Sequence, residues 1–526
     1  MYKINPMLLG DGYKMSHADL YEQNGQKIYA TWTPRSSKNS KIENLDGVVV
    51  FGLQSFVKEW LIDYFNDEFF NKDVDLIVAE YKNVIKAYLN SDGLGEGRIR
   101  ALHALGYLPL KITALEEGTL CPIRVPMLTI ENTLPEFFWL TNFMESFMSA
   151  ELWSAMTTAT IAREYRKILD GWAEKTCDDN SHVDFQGHDF SFRGFNTVKA
   201  SLASGAGHLI SFRGTDTVPC IGWLEKYYNA NNSKKMFACS VPATEHSIME
   251  FNSVGKENDE YDAIKRIITE VHPNGIVSVV SDTWNLWKVL TDTLPRLKSE
   301  ILARNGKVVV RPDSGCPEDI ICGLPLDITM FDGEVEPLND GKEYFIERKK
   351  GVIELLWDTF GGSVNSKGYK VLNPCIGAIY GDAITLERAE EICRRLEAKG
   401  FASSNIVFGI GSYTYQYNTR DTFGFALKST YAIKDNKEVF LFKDPITDDG
   451  IKKSQKGMVV VYDSIDSGII FEDENYQKDL DAPLTRSINL LKPLFENGKL
   501  LRETSLEEIK EKIKNVNIQK RGLVHY

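Results

Sequence analysis

The stretch "GIVSVVSDTWNLWKVLTDTLPRLKSEILARNGKVVVRPDSG" (275–315) decides the fold. Two Val-rich runs flank a segment with helical periodicity, "DTWNLWKVLTDTL", and each run ends in a small polar cluster, Ser281-Asp282-Thr283 and Arg311-Pro312-Asp313-Ser314-Gly315. Near-continuous apolar strands alternating with helices predict a parallel sheet covered on both faces. The design repeats outward in both directions. "HLISFRGTD" (208–216), "MFACSVPATEH" (236–246), "CIGAIYGDA" (375–383) and "NIVFGIGSY" (405–413) each read as a strand ending in polar residues, and "HDFSFRG" (188–194) precedes them all. An open doubly wound sheet concentrates its ligand contacts near one switch point, whereas polar clusters after strand upon strand predict a βα-barrel.

The flanks differ. "KIYATWTP" (27–34) reads as a strand, "FGLQSFVKEWLIDYFN" and "DLIVAEYKNVIKAYLN" as helices, and 108–133 as β with turn residues. From Leu134 to about Thr176 the pattern is helical. Beyond residue 430 it becomes β-like again and closes with a helix from Ser505, where Ser505 and Glu508 fit a capping box. The polar, Gly- and Asp-bearing segment 316–365 reads as an irregular surface insertion. The expected organisation is an N-terminal α+β segment over 1–154, a barrel over 155–425, and a C-terminal segment over 426–526 packing with the first.

The 526 residues carry 61 Lys plus Arg against 74 Asp plus Glu, a net charge of -13, which disfavours nonspecific nucleic-acid or anionic-membrane binding. It leaves room for an anionic small substrate met by a local basic cluster. The eight scattered cysteines form no C-x-x-C pair and predict reduced thiols. Without a signal-like start or an apolar run of about 18 residues, a cytoplasmic location is expected. No zinc-hydrolase pattern, Walker loop or G-x-S-x-G elbow is present.

Arg311 offers a planar fork for phosphate, and Asp313 suits sugar hydroxyls or a metal ion; a βα turn with a surface ion pair explains the same residues. Gly409 and Gly411 follow a strand as phosphate-binding glycines do, and equally as a tight turn does; Gly381 and Asp382 repeat the design. Arg420, Lys428, Lys443, Lys452 and Lys456 gather basic charge within about forty positions of an acidic chain. Phe190, beside Arg193, and Tyr13, beside Asp11, are aromatics in polar settings, suited to stacking on a flat ring. His246, after Glu245, is either a packed histidine or a reactive one.

In order and spacing, "GDGYKMSH", "HDFSFRG", "FRGTDT", "SVPATEHS", "VVSDT", "RPDSG" and "FKDP" resemble the nicotinamide phosphoribosyltransferases. The nicotinate phosphoribosyltransferases share the architecture but fit "FRGTDT" and the N-terminal motif less well. The resemblance implies an irregular βα-barrel of the type II phosphoribosyltransferase kind, with an added α+β domain from both chain ends. It implies transfer of phosphoribosyl from phosphoribosyl diphosphate to nicotinamide, with magnesium carried on the diphosphate and no direct metal ligand. It further implies a homodimer in which Asp11, Tyr13, Arg35, Arg420, Lys428 and Lys443 are lent by the second copy, with Lys452 among the diphosphate or ATP contacts.

By the same resemblance the pyridine stacks between Phe190 and Tyr13, and Asp216 accepts the amide N–H. Arg193, His246 and Arg311 meet phosphoribosyl diphosphate, Asp313, Gly381 and Asp382 the ribose, and Gly411 and Ser412 the 5′-phosphate. His246 is the residue phosphorylated from ATP, with Asp282 orienting its ring and Glu245 assisting. Asp216 also predicts base choice: a second carboxylate, on nicotinate, would be repelled by about 4 kcal/mol at 4 Å and intermediate dielectric. Two departures stand out. Ser412 and Tyr413 occupy positions where glycines are expected, so Tyr413 must point away or reshape the loop, and the segment after "RPDSG" is long. The rival readings are transfer to nicotinate and a catalytically inactive binding homologue.

Overall fold

The computed structural model describes residues 3–91, 94–255, 259–325, 344–443, 446–447, 455–464, 468–472 and 488–523. The chain divides into two compact units. One comprises residues 1–160, 222–230 and 418–526, and the other 161–221 and 231–417.

The second unit is built on six parallel strands: β1 (Gly187–Asp189), β2 (Gly214–Thr215), β3 (Asn274–Val280), β4 (Asn305–Arg311), β5 (Ile376–Tyr380) and β6 (Ile406–Ile410). Their order is β2-β1-β6-β5-β4-β3, and helices such as Leu386–Ala398 connect them. The sheet curls until its edges nearly meet. Residues 239–243 fill the gap. Cys239 bridges Gly214 on one edge and Ala243 bridges Ser278 on the other, both in parallel sense. The period of two sorts side chains between the faces. On β4, Val308 and Val310 are buried outward, while Lys307, Val309 and Arg311 turn toward the interior.

Three expectations need correction. The run at 208–216 is not one strand: "HL" completes the helix Val198–Leu209, and only Gly214–Thr215 is extended. The buried His208 explains the switch, because its ring bonds Tyr415 Oη at 2.7 Å and the Gly214 carbonyl at 3.0 Å. The run at 236–246 is reduced to two isolated bridges, since Pro242 has no N–H for a ladder. The segment 316–365 is not an irregular decoration at its ends. Pro317–Cys322 and Phe345–Phe360 are helices that bury Ile321, Cys322, Val352, Ile353 and Leu356, and residues 326–343 lie outside the described residues.

The first unit carries a seven-stranded antiparallel sheet. Gly25–Pro34 pairs with both Phe425–Lys434 and Leu128–Asn132, and Leu110–Ala114 pairs with Lys492–Glu496, so strands from both chain ends share one sheet. Trp32 and Phe425 stack in its core with centroids 5.4 Å apart. The closing helix begins at Leu506, where Ser505 N donates to Glu508 Oε2 at 2.7 Å and Glu508 N to Ser505 Oγ at 3.3 Å, completing the capping box.

Candidate active site

A cavity of about 490 Å³ lies inside the curled sheet, lined at the C-terminal ends of the strands by His188, Phe190, Asp216, Ser240 and Arg311. Asp216 follows β2 and is fixed from two sides. His188 Nε2 lies 3.0 Å from its Oδ1, and Ser240 Oγ donates to the same atom at 2.5 Å. Burial alone would raise this carboxyl; the bonds from His188 and Ser240 and the charge of Arg311 outweigh it and hold the group below the usual carboxylate range. Oδ2 has no partner among the described residues.

Phe190 N donates to the Ile410 carbonyl at 2.9 Å, anchoring the ring between two strand ends. Its edge lies where side chains of Gly381 and Gly409 would be: a Cβ on Gly381 would sit 2.7 Å from Phe190 Cε2, and one on Gly409 2.4 Å from Cδ2. Gly409, read as a phosphate-loop glycine, thus serves first to seat the aromatic ring. Gly411, by contrast, has open space around it, and the following Ser412 begins a short helix, Ser412–Tyr415. Gly194 packs directly on Ser412, which places the Phe192–Gly194 turn carrying Arg193 beside that helix start. Tyr413 is half exposed and stacks on Tyr417 at 5.4 Å.

Asp313, Asp282 and Asp382 gather about the ends of β3, β4 and β5. Burial and the charges of Asp282 and Asp382 raise Asp313, against the pull of Arg311. Asp282, expected against the His246 ring, makes no bond to it in this structure. Asp282 Oδ2 instead accepts from Asp313 N at 2.8 Å and Ser314 Oγ at 2.6 Å, while its Oδ1 is buried without a partner. The ring's polar neighbours are Thr283, which the sequence reading passed over, and Asp313: His246 Nδ1 lies 3.2 Å from Thr283 Oγ1, and Nε2 lies 4.0 Å from Asp313 Oδ2. Glu245 accepts a hydrogen bond on its carboxylate from Ser247 Oγ. It precedes the helix His246–Ser253, so His246 is that helix's first residue.

The remaining expected residues belong to the first unit. Lys14 is buried there and donates to Asn142 and to Glu145 Oε2 at 2.6 Å, and Lys428 donates to Glu145 Oε1 at 2.7 Å. Ser146 Oγ donates to Asp11, and Tyr13 stands exposed on the same turn, raised by burial and by the charges of Glu145 and Asp11. Arg35 Nε donates to the Gly424 carbonyl at 3.1 Å, and Arg420 pairs with Asp421 at 3.0 Å. Lys443 is exposed, and Lys452 lies outside the described residues. His188, Ser240 and Thr283 are the site residues that sequence reasoning missed. All three stand inside quoted motifs, so the signal was present but undivided.

A parallel barrel with a carboxylate-and-arginine mouth and an aromatic seat is the architecture of the type II phosphoribosyltransferases. It is similar across nearly the whole chain to the nicotinate-nucleotide pyrophosphorylase of Pyrococcus furiosus (TM-score 0.53, 15% identity, 99% of this chain and 97% of that one). Human nicotinic acid phosphoribosyltransferase is similar to the same degree (TM-score 0.53, 14% identity, covering 98% and 94%). The model of the nicotinate phosphoribosyltransferase (NAPRTase) family matches residues 185–488. The nicotinamide phosphoribosyltransferase of Acinetobacter baylyi is 46% identical over 520 residues, 97% of each chain. That of Mycoplasma pneumoniae is 32% identical over 474 residues, 85% of this chain and 93% of its own. The chain belongs to the nicotinate phosphoribosyltransferase family.

Proposed function

We propose that the chain transfers the 5-phosphoribosyl group from phosphoribosyl diphosphate to nicotinamide, forming nicotinamide mononucleotide and diphosphate for NAD synthesis. The observation that carries the choice of base is Asp216, an ionised carboxylate on the cavity wall with one oxygen committed to His188 and Ser240 and the other without a partner among the described residues. An amide N–H satisfies that oxygen; a carboxylate opposes it.

In the reaction the bond from the anomeric carbon to diphosphate breaks and a bond to the pyridine nitrogen forms. Positive charge develops on the sugar and negative charge on the leaving group. Phe190 holds the ring, Arg311 and Arg193 hold the phosphates, and Asp313 and Asp382 the ribose hydroxyls. No general base is required, because the pyridine nitrogen already carries its lone pair. Magnesium, arriving on the diphosphate, would neutralise leaving-group charge, and Asp313 and the unpartnered Asp282 Oδ1 are the groups suited to meet it.

A second copy of the chain would lend Tyr13, Asp11, Arg35, Arg420, Lys428 and Lys443, completing each site in a homodimer. ATP would phosphorylate His246 at Nε2, since Nδ1 is engaged by Thr283. The described residues include no helix long and apolar enough to cross a membrane, and we place the reaction in the cytoplasm. The test is competition between nicotinamide and nicotinate, following mononucleotide and diphosphate, with and without ATP. Preference for nicotinate would overturn the assignment of the base, and absence of diphosphate release with either base would overturn the reaction.

A further inference from the structure

Cys177 follows the long helix Glu145–Thr176 and is 5% exposed, which by itself marks an inert, buried thiol. Its surroundings differ from those of the other buried cysteines. His182 Nε2 lies 3.9 Å from Sγ, Ser403 Oγ 3.5 Å and Thr176 Oγ1 3.6 Å. The Thr176 hydroxyl donates to the Trp172 carbonyl at 2.8 Å and accepts from Ser403 N at 3.0 Å, so the Ser403 hydroxyl is the donor available to sulfur. His182 and Ser404 are part of the wall of the barrel cavity, remote along the strands from Asp216 and Arg311. The cavity therefore reaches the His182 side of the pair, with Cys177 buried directly behind it.

We propose that Cys177 and His182 form a thiolate–imidazolium pair at the rear of the barrel, a modification site for small hydroperoxides. The sulfur attacks one peroxide oxygen and the O–O bond breaks. The departing hydroxide takes the proton from the His182 imidazolium and leaves as water, giving a sulfenic acid and a neutral imidazole. The thiolate is retained because hydrogen bonds from His182 and Ser403, the polar neighbourhood of Thr176 and the imidazolium charge outweigh the burial that opposes it, bringing the thiol down to about 6. Burial instead pushes Cys121, Cys220, Cys322 and Cys393 up. The other titratable groups facing the pair are Cys393, from the helix Leu386–Ala398, and Asp179, which faces His182.

The test exposes the folded full-length chain to hydrogen peroxide with dimedone and, separately, to iodoacetamide across pH, mapping adducts by mass spectrometry. Cys177 should carry the dimedone, and its alkylation should reach half-maximum near pH 6. His182→Gln should move that midpoint up by roughly one pH unit or more and slow peroxide capture about fivefold or more. A Cys177 that stays unlabelled while the exposed Cys316 reacts, or a wild-type midpoint above about pH 8, overturns the proposal. So does a His182→Gln protein with unchanged rate and midpoint. Should that variant fail to fold, the wild-type profile decides alone.

Discussion

His188 Nε2 lies 3.0 Å from Asp216 Oδ1, and this contact commits one carboxylate oxygen to the protein so that the other is left for a ligand. The pair fixes the position of the charge that Asp216 brings to the cavity wall. Replacing Asp216 by Asn removes the charge and retains the volume. We expect Asp216→Asn to narrow the preference for nicotinamide over nicotinate by about 10- to 1,000-fold in kcat/KM, the upper end being the full like-charge repulsion of about 4 kcal/mol. An unchanged ratio in the competition assay would remove Asp216 as the selector.

His246→Ala should abolish ATP stimulation and acid-labile phosphate on the protein while leaving basal transfer measurable. Thr283→Val, which takes away the group beside Nδ1, should slow phosphorylation by roughly tenfold with little change in basal KM for phosphoribosyl diphosphate. Asp282→Asn should do the reverse, raising that KM, because Asp282 holds the Asp313–Ser314 turn and not the ring. Phosphorylation rates and KM values that follow the opposite division would restore Asp282 as the orienting residue.

Gly409→Ala would place a methyl group 2.4 Å from Phe190 Cδ2. The ring must shift, so we expect a higher KM for the base and about 1–3 kcal/mol lower stability by denaturant unfolding. Gly411→Ala meets nothing within 4 Å, and its stability should be nearly unchanged. Equal losses of stability in the two variants would show that neither glycine seats the ring.

Glu117 is buried in the first unit, where its carboxylate accepts from Gln54 N at 2.6 Å and Gly52 N at 3.3 Å, with Tyr228 Oη at 3.2 Å. Burial outweighs these bonds and raises it to about 7. A carboxyl raised in the folded state binds its proton longer than in the unfolded chain, so its contribution to stability is greatest below pH 4.5. That contribution falls as pH rises through about 7. Glu117→Gln should therefore be most favourable, relative to wild type, above pH 7. A stability difference constant from pH 5 to 8 would show that Glu117 does not titrate in this range.

The sequence showed β3 and β4 plainly, because Val-rich runs of six or seven residues ending in Asp-Thr or Arg-Pro-Asp allow few other structures. It misled at 208–216, where "HLI" serves helix and strand equally and the decision lies with His208 bonding to Tyr415, 207 positions away. The motifs carried the site's members, but their pairing depends on strand order. Asp282 and His246 stand close to one another's motifs, yet the turn of β4 takes the Asp282 carboxylate first. Likewise the need for glycine at 409 comes from Phe190, on the neighbouring strand.

The segment at 239–243 carries a mechanical implication. It is stitched to one sheet edge by Cys239 N to the Arg213 carbonyl (2.8 Å) and Thr215 N to the Cys239 carbonyl (2.9 Å). On the other edge the stitches are Ser278 N to the Pro242 carbonyl (2.9 Å) and Thr244 N to the Ser278 carbonyl (3.0 Å). Ser240, bonded to Asp216, sits on this short tether, and the helix that begins at His246 follows it directly. Displacing the start of that helix would therefore pull on the same stitches that seat Ser240 against Asp216, so the seam that shuts the barrel couples these two strand ends.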